Sequence, residues 1–283
     1  MPRSRTALLP DFGRPPINEV VLSVQFEPLD PLLTHHLGMF WETIRERYPR
    51  AEVHPPIESA FERLGSPVVR PPGIQIEFAQ PPLFPRLWLL NQTGTELIQV
   101  QQDRFVHNWR KIVGDEPYPR YEHIREQFKS ELVAFADFTR SHGFGDVKPN
   151  QCEVTYINHI ESDASSGKHG DPADVLSLLS RGTKGPSMHQ PESLQMSAKY
   201  LIESTDHSES RVVGRLHVDF LPVFTVKESR PIFALNLIAR GVPLSEGIEG
   251  AMDFLDLGRV TIVRSFADMT TSSMHKIWDR KDA

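Results

Sequence analysis

What most constrains this 283-residue chain is the order in which its hydrophobic periods follow one another. Segments with an alternating, β-branched pattern come in runs, joined by loops too short to hold a crossover helix. "PRLWLLN" (85–91) and "ELIQVQQDRFVHNW" (96–109) flank Gln92-Thr93-Gly94-Thr95, a loop whose glycine can take the positive φ of a tight turn. "SLQMSAKYLIES", "RVVGRLHVDFLPVF" and "PIFALNLIARGV" succeed one another from Ser193 to Val242. "NEVVLSVQF" (18–26), stopped by Glu27-Pro28, and "CEVTYINHI" (152–160) read as further strands. Few β-α-β alternations are present. The expectation is therefore an α+β fold, with largely antiparallel sheet and long amphipathic helices packed on one face. Two similar halves are allowed by this order, although no sequence repeat marks them.

Three stretches carry helical spacing. After Pro31, Leu33, Leu37, Phe40 or Trp41, Ile44 and Tyr48 share one stripe that ends before Pro49. Tyr121, Ile124, Phe128, Leu132, Phe135 and Phe138 form the longest stripe, with Gly143 where a C-terminal cap belongs. A third helix runs from Leu244 through Ile248, Met252, Leu255, Ile262 and Phe266, and Thr270 is the expected cap of a last turn, "TSSMHKIWDR". Nine prolines between 49 and 85 surround "EVHPPI" and "GIQIEF", which predicts edge strands, because proline cannot donate to a central ladder. Residues 161–193 are dominated by Ser, Gly, Pro and Asp, with only "ADVLSLLS" suited to a short helix. The expected organisation is a flexible tail (1–14), a first α+β half (15–160), a mobile loop or insertion (161–193), and a second half (194–283) forming one compact unit with the first.

Composition removes several classes. A net charge of −6 offers no general field for nucleic-acid backbones. A lone Cys152 makes no intramolecular disulfide, which fits a reducing cytosol. The apolar run Ala7-Leu8-Leu9 is too short for a signal peptide, and no stretch approaches 18 apolar residues, so a cytoplasmic protein without a membrane span is expected.

"PPINEVVLSVQFEPL", "ELIQVQQDRFVHNWRK", "YPRYEHIREQF", "CEVTYINHI", "ARGVPLSEGIEGAMDFLDLGRVTIVRSFADMTT" and the tryptophan of "KIWDR" together resemble the signature segments of a sporadically distributed family of uncharacterised bacterial proteins. The resemblance spans nearly the whole chain. It implies one compact unit and supplies no activity and no catalytic residue.

No phosphate loop, G-x-G-x-x-G, G-x-S-x-G, H-E-x-x-H or C-x-x-C motif is present. Twelve histidines lack ligand spacing, and the adjacent His35 and His36 point about 100° apart on a helix, so no metal and no cofactor are expected. Cys152 shares a strand face with Val154 and Tyr156 and reads as core. The polarity concentrated in "QVQQDRFVHNWRKI" (99–112) is the main candidate for a site. Its apolar residues change parity near Gln102 to Arg104, which predicts a bulge or tight bend there. Gln99, Gln101, Arg104, His107, Asn108 and Arg110 are the candidate ligand- or partner-binding residues, joined by Asn158 on "TYINHI" and by Arg215 and His217, which alternate with apolar neighbours alongside Asp219. The bland alternative is a packed hairpin with its amides paired internally. Amides rather than acid/base pairs favour a noncatalytic binding or interaction module for a protein or small-molecule partner. The alternative is a hydrolase or transferase acting on a phosphorylated or nucleotide-like substrate through Arg104, His107, Arg110 and Arg215. Open strand edges allow a homodimer.

Overall fold

The computed structural model describes residues 9–64, 84–161, 169–179, 193–206, 209–225 and 229–281. The least local pairing of its nine-stranded sheet lies at the centre. β2 (Ile17–Phe26) and β7 (Pro149–Ile160), more than a hundred residues apart, run antiparallel with Val20, Leu22 and Val24 opposite Tyr156, Val154 and Cys152. A meander flanks β2, made of β3 (Arg50–His54), β4 (Arg86–Leu90), β5 (Glu96–Gln101) and β6 (Arg104–Arg110). A second meander flanks β7, made of β8 (Met196–Asp206), β9 (Glu209–Phe224) and β10 (Pro231–Gly241). Among the described residues the strand order is β3-β4-β5-β6-β2-β7-β10-β9-β8, antiparallel throughout, and the fold is α+β.

The two halves repeat one succession. Each begins with a central strand, passes through an inserted segment, returns as a meander whose last strand pairs with the first, and ends in a long helix. Those helices are α2 (Tyr121–Ser141) and α4 (Gly247–Met269). The inserted segment of the first half includes α1 (Thr34–Ile44), that of the second half α3 (Pro172–Val175).

Register explains where the helices lie. Directly opposed residues share a sheet face, so Phe105 and His107 of β6 join Val24 and Leu22, then Cys152 and Val154, then Ala239. Phe40 of α1 and Phe128 and Phe135 of α2 contact the Phe105 ring at centroid distances of 6.4, 6.1 and 5.3 Å. α4 meets the same face at Gly258, where an added Cβ would stand 3.1 Å from the Ala239 Cβ and 3.3 Å from Val154 Cγ2. The expected stripes are largely the buried ones: Tyr121, Ile124, Phe128, Leu132, Phe135 and Phe138 on α2, and Met252, Leu255, Ile262 and Phe266 on α4, which begins at Gly247 rather than Leu244 and leaves Ile248 half-buried. Gly258→Leu is expected to overpack this contact at a cost of about 1–3 kcal/mol, read as a lower denaturation midpoint with an unchanged slope. An unchanged midpoint would mean that α4 sits farther from the sheet.

Several sequence expectations change. "ELIQVQQDRFVHNW" is not one bent strand but β5 and β6 joined by the two-residue turn Gln102-Asp103, so the parity slip is a chain reversal. The turn lacks the Asn-Gly signature of two-residue hairpins. Instead the Gln101 amide donates to the Asp103 carboxylate at 2.6 Å, and the turn carbonyls of Gln102 and Asp103 accept the Leu29 and Phe26 amides. Residues 11 and 12 do not belong to a free tail: β1 (Asp11–Phe12) pairs with β11 (Arg280–Lys281), and Phe12 is buried against Phe266 and Trp278. Thr270 is buried and bonds the Phe266 carbonyl, while Thr271 caps α5 (Ser272–Ile277). Within 161–193 the described stretch 169–179 is docked, with Val175 and Leu176 fully buried and Leu176 bridged to Thr270. "GIQIEF" falls outside the described residues. No helix among the described residues is long and apolar enough to cross a membrane.

Candidate functional site

The candidate residues fall on two faces of the sheet. Gln99, Gln101, Arg104, Asn108 and Arg110 share the face opposite the helices, as do Arg215 and His217 of β9. His107 and Asn158 lie on the helix face. The intervening strands β2, β7 and β10 put Arg215 four strand spacings, about 19 Å, from β6.

On the polar face these side chains hold another part of the chain. Residues 55–64 leave β3 and cross the strands near one end of the sheet. Gln101, Arg104, Gln25 and Gln151 form a row there, opposed one to the next across β5, β6, β2 and β7. The Gln101 amide brackets Ile57, accepting its N–H at 3.0 Å and donating to its carbonyl at 2.9 Å. Gln25 and Gln151 accept the Ala60 and Glu62 N–H groups, both at 3.1 Å. Arg104 donates to the Glu58 carbonyl at 3.0 Å and to Gln25 Oε1 at 2.6 Å. The strap ends in an ion cluster, where the Glu62 carboxylate takes Arg215 at 2.8 Å and His217. Arg240 lies 3.8 Å from Glu62 and bonds Glu153 at 2.6 Å. Burial alone would raise the Glu62 pKa, but the bonds from His217 and Arg215 outweigh it and hold it down to about 2.

The other candidates on this face also bond within the chain. Arg86 donates to Gln99 at 2.7 Å, Gln99 to Asn108 at 2.7 Å, and Asn108 to Glu19 at 2.6 Å. Arg110 donates to the Gly94 carbonyl at 3.1 Å and lies over the Trp88 ring.

His107 is fully buried in the helix-facing core, where its Nδ1 meets Glu131 of α2 at 2.7 Å. The other Glu131 oxygen accepts the Tyr48 hydroxyl and lies 3.4 Å from Arg47. Burial, reinforced by Glu131, pushes the Tyr48 phenol far up. The sequence reading missed Glu131, and a signal was available: it lies three residues after Phe128 and four before Phe135, on the apolar stripe of α2.

Asn158 does not join the polar face. It bonds the Leu235 carbonyl at 3.0 Å and lines a cleft between the N-terminal segment, the start of α2 and α4. This cleft holds about 70 Å³, several times the roughly 10–15 Å³ that one water needs. Its apolar wall includes Phe12, Ile17, Ile262 and Phe266, and its polar wall Tyr118, Tyr156 and two ion pairs, Arg120 with Asp11 at 2.8 Å and Arg259 with Glu122 at 3.3 Å. The phenols of Tyr118 and Tyr156 are 3.2 Å apart. Burial pushes Tyr156 up to about 12, with the Tyr118 bond and the Arg259 charge offsetting part of the rise. Arg259 stacks 5.4 Å from the Tyr121 ring, yet its buried Nε meets no acceptor among the described residues. Arg120, which caps α2 without a side-chain bond, has φ 74° and ψ 153°, a conformation that strongly favours glycine. Sequence reading missed Tyr118, Arg120 and Arg259, because the segments that bring them together are distant in the chain.

Cys152 is buried, and burial pushes its thiol far up, so it is not a thiolate near neutral pH. Among the described residues no group of three or more His, Cys, Asp or Glu is placed to hold a metal. No family model matches the chain, and neither does any curated protein or solved structure.

Proposed function

We propose that this chain is a noncatalytic binding module that takes a small ligand with an apolar body and one anionic end in the cleft between the N-terminal segment, α2 and α4. The observation that carries the reading is the pairing of an apolar wall with the buried Nε of Arg259, which meets no acceptor among the described residues although Nη2 of the same guanidinium reaches Glu122 at 3.3 Å. A few convergent polar groups in a mostly apolar recess are the usual constitution of a small-molecule site. The start of α2, which has no side-chain cap bond, opens at the same mouth, where the Arg120 charge is balanced by Asp11. Tyr118 and Tyr156, held protonated by burial, serve as hydrogen-bond donors and not as bases. The hydrolase or transferase alternative would draw on Arg104, His107, Arg110 and Arg215, which lie on two faces and are bonded to other parts of the chain.

Ligand-observed NMR with a panel of aromatic and aliphatic monocarboxylates tests the proposal. Saturable binding is expected for at least one probe, weakened about 10- to 100-fold by Arg259→Ala, the range for losing a charge-assisted hydrogen bond. Arg110→Ala, on the opposite face of the sheet from the cleft, is expected to leave the affinity unchanged. Binding that ignores Arg259, or no saturable binding across the panel, sinks the reading.

A further inference from the structure

The strap leaves three hydrogen-bond donors unmet. Gln25, Gln151 and Arg104 are each more than nine-tenths buried, and each has one side-chain nitrogen with no acceptor among the described residues: Gln25 Nε2, Gln151 Nε2 and Arg104 Nε. Their amide orientations are fixed, because Oε1 of each glutamine already accepts a strap N–H. The three belong to one row, Arg104 opposite Gln25 and Gln25 opposite Gln151. All three line a single cavity of about 10 Å³ beneath Ala60, together with Ser23, Glu153 and Arg240.

A space of that size admits one sphere of about water size, since one water needs roughly 10–15 Å³. Buried donors left unpaired are costly, and native interiors give them a partner. Every unmet group here is a donor, whereas a water can accept only two hydrogen bonds and brings two O–H groups that need acceptors. A water could return its O–H groups to the Ser23 hydroxyl or to the second lone pairs of Gln151 Oε1 and Glu153, which take single bonds from Glu62, Arg240 and Thr155, but its own two lone pairs cannot meet all three donor nitrogens. Two arginines against one carboxylate give the lining a positive balance. A monatomic anion accepts from all three donors without needing an acceptor, and chloride, though larger than water, is nearer to the size of this space than a polyatomic oxyanion is.

We propose that this cavity is a binding site for one monatomic anion of the chloride class, held by Gln25, Gln151 and Arg104, and that the anion completes the attachment of the 55–64 strap to the polar face of the sheet. The anion lies beside the strap backbone, so its binding and the docking of the strap stabilise one another.

The test uses the full chain. Crystals grown with sodium bromide should show an anomalous peak within hydrogen-bond reach of Gln25 Nε2, Gln151 Nε2 and Arg104 Nε. In solution, the melting temperature in sodium chloride should exceed that in sodium gluconate of equal ionic strength by about 2–4 °C at tenfold the dissociation constant. Gln151→Leu removes one donor and should abolish the difference between the two salts. If that variant does not fold, the bromide peak and the salt comparison on the parent chain still decide. A water alone in the cavity, or equal melting of the parent chain in the two salts, overturns the proposal.

Discussion

Replacing Glu131 by alanine is expected to cost about 3–5 kcal/mol of stability, the range for removing one partner of a buried charge-bearing pair. The loss exceeds that of an ordinary surface glutamate, because Glu131 is buried and serves Tyr48, His107 and Arg47 together. Without it, the Tyr48 hydroxyl and His107 Nδ1 stay in a core of Phe and Leu side chains with their acceptor gone. Urea unfolding of parent and variant measures the cost. The double variant Glu131→Leu, His107→Leu should be milder than Glu131→Ala, since it fills the space and removes one of the two stranded polar groups, leaving only the Tyr48 hydroxyl. A single-variant cost below about 1 kcal/mol, the level of an exposed ion pair, would show that the cluster carries no such burden.

Glu62→Ala is expected to free the strap without unfolding the sheet. The variant removes the carboxylate that Arg215 and His217 hold, leaving the amide bonds from Gln101, Gln25 and Gln151. Hydrogen bonds to charged groups contribute about 1.5–3 kcal/mol, so the open population of residues 55–64 should rise about 10- to 100-fold. Exchange rates of the Ile57, Ala60 and Glu62 amide hydrogens read that population directly. Acid should act in the same way. The Glu62 carboxyl is held at about 2 in the folded chain against an ordinary value of 4.5. Its contribution is therefore present above about pH 4.5 and lost as the pH falls from there through 2. Exchange at these three amides, corrected for the intrinsic rate, should accelerate between pH 5 and pH 2 in the parent chain and change little in Glu62→Ala. Equal acceleration in both would assign the acid sensitivity to another group.

These expectations also show which parts of the chain could be read before folding. The stripes of α2 and α4 were visible because burial on one side of a helix forces a 3.6-residue period. Leu216, Val218 and Phe220, alternating with Arg215, His217 and Asp219, gave the two faces of β9 for the equivalent reason at period two. The break between β5 and β6 was visible only as a slip in parity. Its turn is held by side chains of Gln101 and by the chain after β2, so the local residues carry no turn signature. His107 was grouped with its neighbours by sequence proximity, but strand alternation places it on the opposite face from Asn108.

Residue pattern alone determined the α+β class, the antiparallel meanders and the buried faces of the long helices, because those follow from short-range periodicity. Only the tertiary structure decided what the polar residues touch. Gln25, Gln101 and Gln151 align into one row because β5, β6, β2 and β7 pair in a particular register, and a row of amides is what can grip a chain crossing the strands. The cleft likewise exists only where the N-terminal segment, the start of α2 and the middle of α4 meet. Periodicity records which side of an element is buried. It holds no information about which distant side chain arrives there, and hydrogen-bond partners and site geometry depend on that arrival.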